Sequence, residues 1–230
     1  MKIISWNCNG AFRKKYHLLS NFNADIFVIQ ECENPALAGG EYQNWSKNYL
    51  WTGQNKNRGI GVFSFLPTKI QPLDWNHDNL KLFLPCKITS ELNLLAVWTQ
   101  QANSPTFPYI GQFWKYLQIH KMGLSENTII CGDFNSNAIW DKWDRWWNHS
   151  DVVRELEELK YISAYHAITS EEQGKETNPT FYMYRKKERP YHIDYVFIPK
   201  NLLHEKTEFE IGQPDKWLGY SDHMPVIFEL

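Results

Sequence analysis

Four cysteines are spread over the 230 residues with no Cys-x-x-Cys pair, so the pattern of a cysteine-bound structural zinc is missing. Three of them adjoin apolar runs, which favours buried, reduced thiols. No apolar run approaches the length that spans a bilayer, and residues 1–6 read as a strand rather than as a charged and then apolar signal segment. We therefore predict a cytoplasmic protein with no membrane contact.

The sequence also has no excess charge of one sign, because 24 Lys and Arg stand against 26 Asp and Glu. Overall charge does not attract the chain to nucleic acid, so any polyanion binding depends on local patches. Hydrophobic residues at 43% and aromatic residues at 16% indicate a globular protein. No repeat or linker divides the chain, so we expect residues 1–230 to form a single domain, with no obligatory protein partner evident.

Apolar periodicity predicts both strands and helices along the chain. The continuous apolar run at 25–30 is typical of a strand that is covered on both faces. Helices are expected at 12–22, at 109–122 and from a Ser150-Asp151 cap to about residue 160. Strands are expected at 2–7, 25–30, 58–65, 80–88, 92–99, 129–131, 180–184, 192–198, 208–211 and 224–229. Mixed elements in one uninterrupted chain indicate an α/β or α+β domain.

The stretch at 128–135, Thr-Ile-Ile-Cys-Gly-Asp-Phe-Asn, places polar groups directly after a buried strand. Gly132 is expected to end the strand, and Asp133 and Asn135 follow at positions that leave a strand on the same side. A buried carboxylate is unfavourable unless it is paired or bound to a cation. A turn aspartate that caps a loop is the alternative for this stretch taken alone.

Polar residues recur at the ends of other apolar strands. They are Asn7, Asn9, Glu31, Asp194, Asp222 and His223. Strands that assemble into sheets would gather these ends with Asp133 and Asn135. Carboxylate and amide oxygens without a cysteine cluster suit Mg²⁺ or Mn²⁺, and a lone histidine beside an acid suits acid–base chemistry. The set predicts metal-assisted attack of water on a phosphoester.

Five motifs in this order span nearly the whole chain and resemble the endonuclease/exonuclease/phosphatase superfamily. They are Ser-Trp-Asn-Cys-Asn-Gly at 5–10, Gln-Glu at 30–31, Gly-Asp-Phe-Asn at 132–135, Ile-Asp-Tyr at 193–195 and Ser-Asp-His at 221–223. Each motif is weak alone, whereas the ordered set is specific. The resemblance implies a four-layered αββα sandwich, in which two packed mixed sheets are flanked by helices and the site lies at one end.

The same resemblance implies a metal site. Glu31 would be the principal ligand of Mg²⁺ or Mn²⁺, and Asn7 and Asp222 would complete or support the site. Asn9 would support it from beside the first strand.

The resemblance also implies roles in the reaction. Asp133 would orient or deprotonate the attacking water, and Asn135 would hold a phosphate oxygen. His223, paired with Asp194, would stabilise charge in the transition state or transfer a proton. Where nucleases of the superfamily carry a catalytic tyrosine after a central strand, this chain reads Ala-Val-Trp-Thr-Gln at 96–100, so that role is unassigned and the substrate subclass stays open.

Two local features are candidate substrate contacts. Arg185, Lys186 and Arg189 form a basic loop before the Asp194 strand, and Trp140 and Trp143 belong to a tryptophan-rich segment after the Asp133 motif. A cationic groove follows a nucleic-acid backbone, and aromatic rings stack on bases. The plain alternatives are a solvated basic surface and tryptophans packed in a core.

Three functions compete on these observations. The leading hypothesis is a Mg²⁺-dependent phosphodiesterase that hydrolyses DNA. The alternative is a phosphatase or phosphodiesterase for a small phosphorylated metabolite or lipid headgroup. The third, a non-catalytic binding module, is disfavoured because a binding protein has no need to keep a buried acidic cluster.

Overall fold

The computed structural model describes residues 1–75, 79–124 and 127–230. Its strands are β1 (Lys2–Asn7), β2 (Ile26–Cys32), β3 (Tyr49–Asn55), β4 (Arg58–Ser64), β5 (Gln71–Pro72), β6 (Phe83–Lys87), β7 (Asn93–Trp98), β8 (Thr128–Asp133), β9 (Tyr161–Ser163), β10 (Phe181–Tyr182), β11 (Pro190–Tyr191), β12 (Asp194–Pro199), β13 (Glu208–Ile211) and β14 (Val226–Glu229). Its α-helices are α1 (Pro35–Ala38), α2 (Gly40–Trp45), α3 (Ile110–His120), α4 (His149–Glu158), α5 (Ala164–Thr169) and α6 (Pro214–Trp217).

Two six-stranded sheets carry most of these strands. The first has the order β13–β14–β1–β2–β4–β3, and the second has the order β5–β6–β7–β8–β12–β9. Each contains one central parallel pair, β1 with β2 and β7 with β8, and the remaining pairs are antiparallel. Both sheets are therefore mixed, as predicted.

The two sheets pack face to face, and helices cover their outer faces. The inner layer joins residues such as Val28 and Val226 of the first sheet to Ala96 and Cys131 of the second. The outer face of the second sheet packs on α3 and α4, and the outer face of the first packs on α2, α6 and 3-10 turns. The predicted four-layered αββα sandwich is confirmed. Complete burial of one large apolar side chain stabilises the folded state by about 1.5–3 kcal/mol.

Strand direction brings the predicted polar residues to one end of the sandwich. β1 and β2 run parallel and end at Asn7 and near Glu31, and Asp194 at the start of β12 lies opposite Asp133 at the end of β8. β14 runs antiparallel to β1, so His223, which precedes it, also lies at that end. The fold therefore assembles one polar cluster from strand ends that are far apart in sequence.

The predicted helix at 12–22 is replaced by two 3-10 helices, Phe12–Lys14 and Tyr16–Phe22. They meet at Lys15, whose Nζ donates to the backbone oxygens of Cys8 and Tyr220, both at 2.7 Å. The tighter turns still bury Phe12 and Leu19 against the first sheet. The apolar spacing indicates an α-helix, but the tertiary contacts of Lys15 favour shorter turns.

Gly132 does not end the central strand as predicted, since β8 continues to Asp133. Gly132 has φ of +146°, and a Cβ there would lie 1.9 Å from the Val97 backbone oxygen. Only glycine allows β7 to approach so closely at this point. The residue that was expected to end the strand is the one that lets Asp133 stay in the sheet.

Helix α4 begins earlier than predicted. Asn148, not Ser150-Asp151, is the N-cap, and Asp151 instead completes a capping box by accepting from the Asn148 backbone N–H. The strand predicted at 180–184 is also cut short, because Tyr184 and Arg185 have φ of 58° and 57°. Residues in the left-handed backbone conformation cannot continue a β-ladder.

All four cysteines are buried and free of disulfides, as predicted. Burial raises the pKa of each thiol, which keeps the sulfur protonated. Across the described ranges, none of the helices has both the length and the apolar character that a membrane crossing requires.

Candidate active site

Three buried ionisable side chains form the centre of the polar cluster. Asp133 and Asp194 are at most 1% exposed, and His223 is 5% exposed. The His223 Nδ1 lies 2.9 Å from Asp194 Oδ2, and its Nε2 lies 3.9 Å from Asp133 Oδ2. The histidine thus stands between two carboxylates, with Asp194 fixing the orientation of its ring. We call Asp133, Asp194 and His223 the central triad.

Electrostatics couple the protonation of these groups. Burial raises the pKa of Asp133, and the nearby charge of His223 only partly offsets this rise. Burial acts to lower the pKa of His223, but the charges of Asp194 and Asp133 outweigh it and raise that pKa. The arrangement therefore favours a protonated imidazole beside a carboxyl group that can accept or hold a proton near neutral pH.

Asn7 connects the central triad to Glu31. Its Nδ2 donates to Asp133 Oδ2 at 2.9 Å and contacts Glu31 Oε1 at 3.4 Å. Its Oδ1 accepts from the Asn9 backbone N–H at 3.1 Å, which leaves this carbonyl a second lone pair. Asn7, at the end of the first strand, therefore links Glu31 of the first sheet to Asp133 of the second sheet.

Glu31 occupies an irregular backbone position. The β2–β4 register shifts between Gln30 and Cys32, and Glu31 has φ of 63°. A bulge of this kind turns one side chain away from the ladder, and such strain is common next to functional sites. The Glu31 carboxylate consequently points to the site, where Arg58 Nη2 lies 2.7 Å from its Oε1.

Asn135 wraps around the Asp133 carboxylate. Its backbone N–H donates to Asp133 Oδ1 at 2.8 Å, and its Nδ2 donates to Asp133 Oδ2 at 2.9 Å and to the Thr99 backbone oxygen at 3.0 Å. Asparagine tolerates the left-handed φ of 45° that this bend requires. The two residues lie on one side of the strand end, as the sequence predicted.

Hydroxyl groups hold the remaining site residues in place. Ser221 Oγ donates to the Asn7 backbone oxygen at 2.7 Å and accepts from the His223 N–H at 3.0 Å. Thr180 Oγ1 accepts from the backbone N–H groups of Ile193 and Asp194, both at 3.0 Å. Beside them, Asn9 Nδ2 donates to Asp222 Oδ1 at 2.9 Å. The strand end of Asp194 and the histidine loop are thus tied to the rest of the site.

Arg58, Thr180 and Phe181 are site residues that the sequence analysis missed. The Phe181 ring lies 4.6 Å from the His223 ring, between their centroids, on the side of the imidazole that faces β10. Ser221 was visible as part of the Ser-Asp-His motif but received no role. Thr180 and Phe181 had one available signal, a polar–aromatic pair at the start of the strand predicted at 180–184.

The donor set fits a hard divalent cation. Asp133, Asp194 and His223 each place one oxygen or nitrogen atom within 4.8 Å of the others, and Asn7 joins Glu31 to Asp133. The carboxylates supply the oxygen ligands, because a protonated His223 has no lone pair for a cation. Asp194 Oδ1 is buried and has no hydrogen-bond partner among the residues that the structure describes. A buried carboxylate oxygen without a donor is unfavourable, and carboxylate oxygens are ligands that Mg²⁺ and Mn²⁺ accept. Glu31, Asn7 and Asp222 as the ligand set stay a prediction.

An apolar cavity of about 470 Å³ adjoins the site at Asn135. Its lining includes Trp140, Trp147, Phe181 and Ile193, with Arg145 and Lys142 also contributing. The Trp147 ring is buried and carries the Arg145 guanidinium at 4.4 Å from its centre. We call this space the aromatic cavity. The tryptophan-rich segment therefore borders the site through Trp140, whereas Trp143 is 97% exposed and lies outside the lining.

The basic loop at 185–189 lies against the loop that precedes His223. Arg185 donates to the backbone oxygens of Gly219 and Tyr220, both at 3.4 Å, and Lys187 pairs with Asp215. Lys186 is exposed, and the Arg189 guanidinium lies 5.7 Å from the centre of the Tyr184 ring. Arg185 and Lys187 thus make protein contacts, while Lys186 and Arg189 present charge at the surface.

A family model described as "Endonuclease/Exonuclease/phosphatase family" matches residues 4–223. Among solved structures, the chain is similar to a 3'-5' exonuclease (NExo) from Neisseria meningitidis, with 19% identity, a TM-score of 0.73 and coverage of 100% of this chain and 99% of that one. It is also similar to an AP endonuclease from Archaeoglobus fulgidus, with 19% identity, a TM-score of 0.75 and coverage of 100% and 99%. No curated protein sequence matches the chain.

A third similar structure is a 3' phosphatase NExo from Neisseria, bound to a product DNA hairpin. Its sequence is 18% identical, its TM-score is 0.72, and the alignment covers 100% of this chain and 99% of that one. At these identities the structures support the same sandwich architecture, and the family match extends the likeness over nearly the whole sequence.

Proposed function

The chain belongs to the Endonuclease/Exonuclease/phosphatase family, whose enzymes hydrolyse phosphoester bonds, and on that premise we propose that it is a Mg²⁺- or Mn²⁺-dependent nuclease that hydrolyses DNA phosphodiester bonds. The observation that carries the proposal is the buried central triad joined to Glu31 by Asn7. Water attack on a phosphodiester needs a group that accepts a proton and a positive group near the developing charge. The triad offers both within one small space.

We infer a distinct role for each member of the triad. Asp133 orients the attacking water and takes its proton, because its raised pKa makes the carboxylate a better base than an exposed one. His223, kept protonated by Asp194, donates from Nε2 to a phosphate oxygen as negative charge builds there. Asp194 accepts a hydrogen bond from Nδ1–H of the imidazole, 2.9 Å from its Oδ2, and so fixes the orientation of the ring.

Asn135 holds the Asp133 carboxylate in place and, in the proposed reaction, also binds a phosphate oxygen. Both of its amide hydrogens have partners, one on Asp133 Oδ2 and one on the Thr99 backbone oxygen. The predicted hydrogen bond to a phosphate oxygen requires Asn135 to exchange its bond to Thr99. Asn135 therefore couples substrate binding to the position of the Asp133 carboxylate.

Glu31 would hold the divalent ion, with Asn7 and Asp222 completing or supporting the site and Asn9 placing Asp222. A bound Mg²⁺ or Mn²⁺ supplies positive charge that polarises the phosphate and stabilises the leaving oxygen. The chain itself brings the oxygen ligands together at one place. The β-bulge at Glu31 turns this carboxylate towards the others.

DNA is supported as substrate by the surroundings of the triad. Trp140 lines the aromatic cavity, Trp143 lies exposed on the same segment, and Arg185, Lys186 and Arg189 follow β10, which packs beside His223. Rings that stack on bases and cations that follow phosphates are the parts of a nucleic-acid surface. Two similar solved proteins are described as an exonuclease and as an AP endonuclease, and a third is bound to a DNA hairpin. We place this activity in the cytoplasm, where buried reduced thiols persist.

One observation favours the second candidate, a phosphatase for a small phosphorylated metabolite. The aromatic cavity has the size of a small-molecule pocket, about 470 Å³, and opens next to Asn135. A compact organic group in the cavity would place its phosphate at the triad without any extended DNA surface.

The deciding experiment incubates end-labelled duplex, nicked, abasic and single-stranded DNA with Mg²⁺ or Mn²⁺, with EDTA and Asp133→Asn as controls. The proposal expects metal-dependent cleavage that is abolished in the variant, and the product ladder separates exonuclease from endonuclease action. Intact DNA together with phosphate release from a panel of small phosphoesters would establish the phosphatase instead.

A further inference from the structure

Arg58 forms an ion pair with Glu31, the carboxylate that would bind the metal in the proposed function. Its Nη2 lies 2.7 Å from Glu31 Oε1, and its side chain is 57% exposed. The guanidinium also lies over the ring of Trp98, 5.4 Å from the ring centre. The guanidinium therefore contacts both an aromatic ring and the Glu31 carboxylate.

The contacts of Glu31 differ from those of the triad. Asp133 is held by amide donors of Asn7 and Asn135 inside the protein, whereas Glu31 is paired with a long, half-exposed side chain. Exposed ion pairs are weak because water competes for both charges. A divalent cation with oxygen ligands nearby is a stronger partner for the same carboxylate, so the pair can open when the ion binds.

A guanidinium released from Glu31 can move within a cavity that also borders Asn135. Glu31, Arg58, Trp98, Tyr109 and Asn135 line one cavity of about 290 Å³. Asn135 touches Asp133, so this cavity reaches the point where the reacting phosphate is expected. The planar fork of an arginine matches two phosphate oxygens, and stacking on Trp98 keeps the fork close without Glu31.

We propose that Arg58 pairs with the Glu31 carboxylate until a divalent cation binds Glu31 and displaces the guanidinium. The displaced guanidinium then binds the substrate phosphate. The proposal rests on the proposed function, because it takes Glu31 as a metal ligand. It makes Arg58 a specificity residue for anionic substrates whose availability depends on the metal. It also gives Trp98 a role, as the surface on which the guanidinium rests.

The first test measures Mn²⁺ binding by calorimetry, without substrate, for wild type, Arg58→Gln and Arg154→Gln. Arg58→Gln is expected to bind Mn²⁺ about two- to fivefold more tightly, since an exposed ion pair no longer competes for Glu31. Arg154→Gln removes the same charge from helix α4, where Arg154 pairs with Asp151, and its affinity is expected to match wild type.

Each result has a definite meaning. Equal Mn²⁺ affinity in wild type and Arg58→Gln refutes the competition and leaves metal dependence standing. Equal tightening in both variants shows a general charge effect and also refutes it. No Mn²⁺ binding in any variant refutes the proposed metal dependence itself, and this inference with it.

The second test measures binding of inorganic phosphate at saturating Mg²⁺ by ³¹P NMR titration. Arg58→Gln is expected to weaken phosphate binding about tenfold, the scale of removing one charge-assisted pair, and Arg58→Lys is expected to restore only part of it because an ammonium lacks the planar fork. Unchanged phosphate affinity in Arg58→Gln would refute the transfer to phosphate, even where the Mn²⁺ result holds.

Discussion

The central triad and the surfaces around it are built in opposite ways. Asp133, Asp194 and His223 are almost completely buried and bound to one another or to amide donors. On the surrounding surface, Trp143 is 97% exposed and Tyr184 is 73% exposed. Multiple contacts fix a geometry to fractions of an ångström, whereas exposed rings and cations keep their freedom until a partner orders them.

This difference predicts a separation of effects. Changes at the triad should alter the rate of the reaction with little effect on substrate binding. Changes at the exposed rings and cations should alter affinity and its dependence on salt, with little effect on the chemical step.

The largest effect is expected for Asp133→Asn, which removes the proton acceptor while keeping the shape of the side chain. The cleavage rate should fall about 10²- to 10⁴-fold, the range for loss of an acid–base group. The fold should persist, because removal of a charge whose burial is unfavourable offsets the cost of an amide Nδ2 that faces the donors of Asn7 and Asn135. Single-turnover kinetics and thermal unfolding measure both quantities. A rate within about tenfold of wild type would remove Asp133 from the mechanism.

Next comes Gly132→Ala, which tests the strand that carries Asp133. The new Cβ would lie 1.9 Å from the Val97 backbone oxygen, on a residue with φ of +146°. Strain and overpacking together should lower the free energy of unfolding by about 3–5 kcal/mol. The matched control is Gly219→Ala on the surface loop, where a Cβ has nothing within 4 Å and the expected change is within about 0.5 kcal/mol. Similar urea midpoints for both variants would contradict the argument.

Replacement of Trp140 by alanine tests the aromatic cavity. Loss of one stacking surface should weaken binding of single-stranded DNA by roughly 1–3 kcal/mol, with the cleavage rate at saturation unchanged. Trp146→Ala is the control, since Trp146 is an exposed ring of the same segment that does not line the cavity. If both variants bind as wild type does, bases do not enter the cavity.

The smallest effect is expected for the double variant Lys186→Ala and Arg189→Ala. Binding to duplex DNA should weaken uniformly across sequences, and the slope of log affinity against log salt should fall by about one for each phosphate that is no longer neutralised. Lys87→Ala is the control, because Lys87 ends β6 opposite Asn93, at the other end of the sandwich. An equal change in the control would show that only net charge matters.

The sequence predicted the convergence of the polar strand ends better than it predicted the local structure. Asn7, Glu31, Asp133 and Asp194 are each preceded or followed by an apolar strand, and strand ends converge whenever such strands form sheets. The prediction that these ends meet needed only the apolar runs and the chemistry of the side chains at their ends, whereas the roles came from the resemblance. It did not depend on the exact strand boundaries, several of which differ from the expected ones.

The residues that were missed depend on contacts between distant segments. Arg58 becomes relevant only because β4 pairs with β2 across a bulge that turns Glu31 towards it. Thr180 matters because its hydroxyl accepts two backbone N–H groups 13 and 14 residues away. The two 3-10 helices follow from Lys15 reaching the Tyr220 backbone oxygen. No local pattern in one sequence contains these relations.

The pairing of β1 with β14 has a consequence for the order in which the protein is made. Ser221 bonds to Asn7 across 214 residues, and the Trp6 ring N–H donates to the His223 backbone oxygen across 217 residues. While a ribosome is still adding residues before position 221, the growing chain has Asp133 and Asp194 but lacks Asp222 and His223, and β1 has no β14 to pair with. The central triad is therefore complete only after this segment has left the ribosome, so phosphoester hydrolysis by a nascent chain cannot begin before then.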